Sequence, residues 1–142
     1  MAIGRGLVAT AVFAGLAVCT SGTAWADLPT MNGSYTATST TPSGKHIDSS
    51  WAVNGCGDGC IWVKAGAGGG MAYLVDNQWV LDTMNNLYCP DDRTWSQMAT
   101  NAHMTWDPNT LAGTSQITYI VPFCGHPAGT TQTNQLVIKA SS

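Results

Sequence analysis

The stretch His46-Ile47-Asp48-Ser49-Ser50-Trp51-Ala52-Val53-Asn54 decides the fold class. Ile47, Ser49, Trp51 and Val53 alternate with His46, Asp48, Ser50, Ala52 and Asn54, so every second side chain shares a face and one face is wetter. That period of two belongs to a strand; a helix would repeat its apolar positions every three to four residues. Similar short runs recur at Ser34–Ser39, Ile61–Ala65, Met71–Val75, Gln78–Thr83, His103–Asp107, Gly113–Val121 and Gln135–Lys139.

Turn chemistry separates these runs. Thr41-Pro42-Ser43-Gly44 closes the first hairpin, Gly66-Ala67-Gly68-Gly69-Gly70 reads as a flexible turn, and Asp76-Asn77 is a tight connection. Cys89-Pro90-Asp91-Asp92-Arg93 and Asp107-Pro108-Asn109-Thr110 are further turns, and residues 124–129 form a longer loop. The segment Thr94–Ala102 fits a strand, a short helix or a loop. No stretch carries a helical stripe. About eight short strands at hairpin spacing predict an all-β domain, an antiparallel meander closed as a small barrel or folded as a sandwich. The strand count favours the barrel.

The N-terminus has a different character. Arg5 is the sole charge before Asp27, an apolar run follows from about Leu7 to Val18, and Ala24-Trp25-Ala26 ends a small, polar stretch. Together these read as a secretory signal peptide over residues 1–26, with a stapled β domain over 27–142. The run falls short of the ~20 residues that span a bilayer. A lipoprotein cut before Cys19 is the rival, but Val18 stands where a small residue is expected. Removing residues 1–26 leaves Lys45, Lys64, Arg93 and Lys139 against eight aspartates, with no glutamate. Four scattered cations make no basic stripe for nucleic acid or anionic lipid. The expected location is therefore secreted and extracellular, or associated with the cell wall, without a membrane span.

Export sets the chemistry of the cysteines. Cys56, Cys60, Cys89 and Cys124 are even in number and would meet an oxidising compartment. Of three connectivities, Cys56–Cys60 with Cys89–Cys124 is favoured, because Gly57 and Gly59 permit the tight loop that the first bridge needs. By loop entropy the short bridge contributes about 2 kcal/mol and the long one nearly 4. Zinc knuckles mostly use two close cysteine pairs, and a thioredoxin-type motif has two intervening residues; neither matches.

Aromatic residues are the other heavy investment. Trp51, Tyr73, Trp79, Trp106 and Tyr119 fall near strand centres and are the candidate lining of a ligand pocket, with core filling as the competing role. Trp62, between Ile61 and Val63, is expected to face the other way. Catalytic patterns are thin. His46, His103 and His126 are dispersed, no G-x-S-x-G surrounds a serine, and Gly66–Gly70 lacks the Lys-Ser/Thr of a phosphate loop. Asp58, Asp91 and Asp92 make no twelve-residue calcium loop. No catalytic residue, metal or cofactor is expected.

Gly33-x-Tyr35, Trp51 five residues before Cys56, Cys60-x-x-Val63, Leu74 before Trp79, Cys89-Pro90-Asp91, Trp106-Asp107-Pro108 and Leu111-x-Gly113 form an ordered set. In these motifs the chain resembles small exported proteins of mycobacteria and related actinobacteria, a functionally uncharacterised group, over most of residues 31–124. The resemblance implies secretion and a disulfide-stapled domain, and brings no catalytic or binding residue with it. The function expected from the sequence is a secreted binding module for a small molecule or an extracellular protein. The alternatives are a structural or cell-surface protein without a ligand and, more distantly, a secreted hydrolase.

Overall fold

A computed structural model describes residues 28–66 and 68–141. The signal peptide expected over residues 1–26 and the rival cut before Cys19 fall outside them. Eight strands follow one another: β1 (Gly33–Thr40), β2 (His46–Gly57), β3 (Cys60–Ala65), β4 (Gly68–Val75), β5 (Gln78–Cys89), β6 (Thr94–Trp106), β7 (Ala112–Tyr119) and β8 (Thr131–Ala140). Each pairs antiparallel with the next, and β8 returns to β1 over six residue pairs, Tyr35↔Ala140 to Thr40↔Gln135. The result is a closed barrel, not a sandwich.

Register carries one face of the sheet around the lumen. Ala37 lies opposite Ser49 and Ile138, Val53 opposite Val63, and Met104 opposite both Leu81 and Ser115. The alternation in β2 is thus the alternation of lumen and solvent: Trp51 and Val53 are buried, while Ala52 and Asn54 are exposed. Trp62 projects outward between buried Ile61 and Val63, as its parity requires.

Up-and-down order places the β2–β3, β4–β5 and β6–β7 turns at one end and the other four connections at the opposite end. The first end is held by local devices. Asp76 and Asn77 both take positive φ (49° and 66°), the geometry of a two-residue hairpin whose twist matches its strands. Cys56 and Cys60 are bridged across the β2–β3 turn, with Cα atoms 5.1 Å apart. In the β6–β7 turn the Asp107 carboxylate accepts N–H bonds from Asn109 (2.7 Å) and Thr110 (2.9 Å). Those backbone donors, Thr110 first, hold Asp107 below its ordinary carboxylate pKa. At the opposite end the Cys89–Cys124 bridge ties the end of β5 to the β7–β8 loop.

Two segments differ from the sequence expectation. Gly68–Gly70 belong to strand β4, not to the preceding turn. A Cβ on Gly69 would collide with the Val63 carbonyl oxygen and lie 3.0 Å from Lys64 Cα, so the missing side chains let β4 close onto β3. Thr94–Ala102 is strand, and β5 runs on to Cys89, making the β5–β6 hairpin the longest in the barrel. A second close approach occurs at Gly113, which faces Trp106 across β6–β7. There a Cβ would overlap the Thr105 carbonyl oxygen and come within 2.6 Å of Trp106 Cα.

Gly113→Ala is therefore expected to destabilise the barrel by about 3 kcal/mol, because neither backbone atom can yield without disturbing the ladder. A thermal melt within a degree or two of the parent would show that the strands part at no cost. Asp107→Ala is expected to lower Tm at neutral pH. The native pKa is depressed, so protons bind the unfolded chain first on acidification. The gap between variant and parent should therefore be full above the ordinary carboxylate pKa of about 3.9 and close as pH falls below it. A gap independent of pH would assign the effect to something other than the charged acceptor.

Candidate functional site

Side-chain volume is distributed unevenly along the barrel axis. At the end carrying the Cys56–Cys60 bridge, Trp79 and Trp106 are fully buried and pack with Val53, Ile61 and Val63. Trp51 tilts against Trp106, with ring centroids 5.4 Å apart at 59°. The segment before β1 completes this floor: Met31 is buried in the cluster, and its sulfur accepts the Trp106 indole N–H at 3.4 Å. Asn32 anchors the segment by accepting the Gly55 N–H at 2.9 Å. This end is filled and stapled.

The opposite end is not filled. Apart from Ile47 and Trp51 on β2, inward positions there are small on β1 to β4, namely Ala37, Ser39, Ser49, Ala65 and Gly68, and they leave a cavity of about 480 Å³. Trp51 lies deepest in the wall contributed by β2, and Leu81, Met104 and Leu136 supply apolar surface from β5, β6 and β8. Ser39, Ser49, Thr83 and Asn85 add hydroxyl and amide groups, with Ile47 beside them. Among the described residues, no Asp, Lys, Arg or His lines the cavity. At this end Lys45 and Asp91-Asp92-Arg93 stand on the β1–β2 and β5–β6 turns, while Asp48 and Lys64 take the outward parity of β2 and β3.

One edge of the mouth is shaped by an irregularity between β5 and β6. Asn85 faces Thr100 and Leu87 faces Ser96, so the single residue Asn86 opposes Gln97, Met98 and Ala99. Met98 takes a positive φ of 51°, and its N–H is accepted by the Asn86 side-chain oxygen at 2.9 Å. Bulges of this kind bend a strand and re-aim its side chains. Beyond the bulge Tyr88 and Trp95 pair across the hairpin with ring centroids 5.0 Å apart. Trp95 borders the cavity while remaining 72% exposed.

The aromatic residues singled out in the sequence are divided among four places. Trp51 lines the cavity. Trp79 and Trp106 lie in the floor, each 0% exposed. Tyr73 projects outward on β4, with Ala72 on the lumen side, and its hydroxyl reaches Met71 sulfur at 3.6 Å. Tyr119, half-buried at the end of β7, stacks on His126 at 4.6 Å between centroids. The cavity residues missed in the sequence are mostly small or aliphatic, and their signal is only the lumen parity of each strand. Trp95 carries no such signal, because a bulge sets its direction.

The outer wall holds other polar groups. His103 Nδ1 and Asp82 Oδ1 are 2.7 Å apart, as a cross-strand pair between β5 and β6, with both side chains open to solvent. The pair stands outside the cavity. Cys89, Asp91 and Cys124 cluster closely enough to suggest a metal, but both sulfurs are spent in the disulfide. On β3 and β4, Trp62, Met71, Tyr73 and Val75 form an exposed apolar strip. No helix among the described residues is long and apolar enough to cross a membrane. Comparison with known proteins finds no matching family model, no matching curated protein and no matching solved structure.

Thr83 carries a hydroxyl oxygen that is buried beside the cavity and has no hydrogen-bond partner. Replacing an orphaned buried hydroxyl by a methyl removes a desolvation cost. Thr83→Val is thus expected to stabilise the fold by up to about 1 kcal/mol, read as a higher Tm in thermal unfolding. A lower Tm would mean that the hydroxyl has a partner in solution.

Proposed function

We propose that this protein is an exported binding module that holds one small molecule in the open end of its barrel. The observation that carries the reading is the cavity of about 480 Å³ above a floor closed by Trp79, Trp106 and Met31. Its volume falls in the range of small-molecule sites, which are concave, mostly apolar and furnished with a few placed polar groups. An eight-stranded barrel fills its lumen or holds one ligand, and here the two solutions occupy different ends of one lumen. Export is part of the proposal. The two formed disulfides suit an oxidising compartment, and the N-terminal sequence has the pattern of a secretory signal.

Closing the cavity without touching the floor tests the reading. Ser49 lies on the cavity wall and outside the buried cluster, so Ser49→Trp would place an indole in the void at little cost to the core. The neutral apolar dye N-phenyl-1-naphthylamine is expected to bind the parent saturably, one molecule per chain, with an increase in fluorescence. Ser49→Trp is expected to weaken that binding at least about tenfold while Tm stays near the parent value. No saturable binding by the parent, or equal binding by the variant, would defeat the proposal.

A further inference from the structure

We infer that the molecule held in the barrel mouth is uncharged, with an apolar body set against Trp51, Leu81 and Leu136 and a hydrogen-bonding group directed to Ser49 and Asn85. The inference rests on the binding reading above. Its ground is the lining: apolar surface in the depth, hydroxyls and an amide nearer the rim, and no ionisable side chain among the described residues. A charged group entering such a cavity would leave water without meeting an opposite charge, which is the costliest way to bury an ion. A hydroxyl, amide, ketone or ester meets partners of its own kind, since serine donates and accepts and asparagine does both through separate atoms.

Trp95 adds a shape requirement. It borders the cavity, it is 72% exposed, and Tyr88 backs it at 5.0 Å between ring centroids. The two rings are tilted by 41°, so Tyr88 fixes the indole while leaving most of its surface open to whatever occupies the mouth. The bulge at Asn86 and the Cys89–Cys124 bridge hold the hairpin that presents it. Trp95 is absent from the buried core, so its truncation leaves that core intact. The geometry points to Trp95 as a specificity-determining contact for a planar or ring-bearing ligand.

Three compounds with one bicyclic body test the charge requirement: 1-naphthalenemethanol, 1-naphthoate and 1-naphthylmethylammonium, each titrated against the dye-loaded protein and checked by calorimetry. The alcohol is expected to displace the dye at least about tenfold more strongly than either ion. Rejection of both ions is the informative pattern. The chain is net negative, so a general field would repel naphthoate but attract the ammonium compound. Equal affinity for either ion, or failure of the alcohol to displace the dye, would overturn the neutral-ligand inference while the dye itself still reports a binding cavity. Absence of saturable dye binding would instead remove the binding reading beneath it. Trp95→Ala is expected to weaken the alcohol three- to tenfold, about the value of one aromatic contact, with Tm unchanged. Unchanged affinity in that variant would take Trp95 out of the site.

Discussion

Closure of the sheet through the β1–β8 ladder is the constraint on which the rest of the structure depends. Without it, β1 and β8 would each expose a row of unpaired backbone groups, the usual liability of antiparallel sheets. With it, every strand has two neighbours, and one face of all eight looks into a single lumen. The width of an eight-stranded lumen is set by strand number and tilt, not by sequence. What the sequence decides is how much side chain enters at each level. Tryptophans and branched residues enter at the end carrying the Cys56–Cys60 bridge; apart from Ile47 on β2, alanine, serine and glycine enter at the other from β1 to β4. The cavity is the difference between a fixed width and a falling side-chain volume.

This explains which features were legible in the sequence. Fold class, most strands and the favoured disulfide pairing follow from short-range signals: period-two alternation in β2, Asp76-Asn77 as a two-residue turn, and paired glycines around Cys56 and Cys60. Thr94–Ala102 resisted because the bulge opposite Asn86 breaks its alternation, so Ala99 and Thr100 are both buried in succession. Gly68–Gly70 misled for a different reason. Glycine is the residue of turns, but here it permits contact between β3 and β4 that only the tertiary structure reveals. The cavity was hardest to read. Large aromatic residues draw attention in a sequence, yet a void is made by what is small, and Ala37 or Ser49 has no mark beyond lumen parity.

The polar wall outside the barrel belongs to the same logic. With few charged residues, solubility falls to hydroxyls and amides, and cross-strand rows such as Thr105↔Thr114↔Gln135 and Asn101↔Thr118↔Thr131 cover much of β6 to β8. These rows suit strands, where β-branched threonine packs well on a pleated surface. The apolar strip of Trp62, Met71, Tyr73 and Val75 departs from that pattern on β3 and β4, and Met84 on β5 and Val137 on β8 do so singly. It lies on the outer wall, so contacts made there need not enter the lumen.

Separating a filled end from an open end also separates stability from recognition. The buried cluster of Trp79, Trp106, Val53, Ile61 and Met31 and the Cys56–Cys60 bridge are remote along the axis from Ser49, Asn85 and Trp95. Substitutions at distant sites without shared partners add nearly independently, so the mouth can change its chemistry without a toll on the floor. Trp51 is the exception. It packs on Trp106 below and borders the cavity above, so it is the one aromatic residue through which a change in occupancy reaches the core directly. Its place at that junction makes a strand alternation, first visible as a mark of fold, also the physical link between what holds the barrel together and what the barrel can hold.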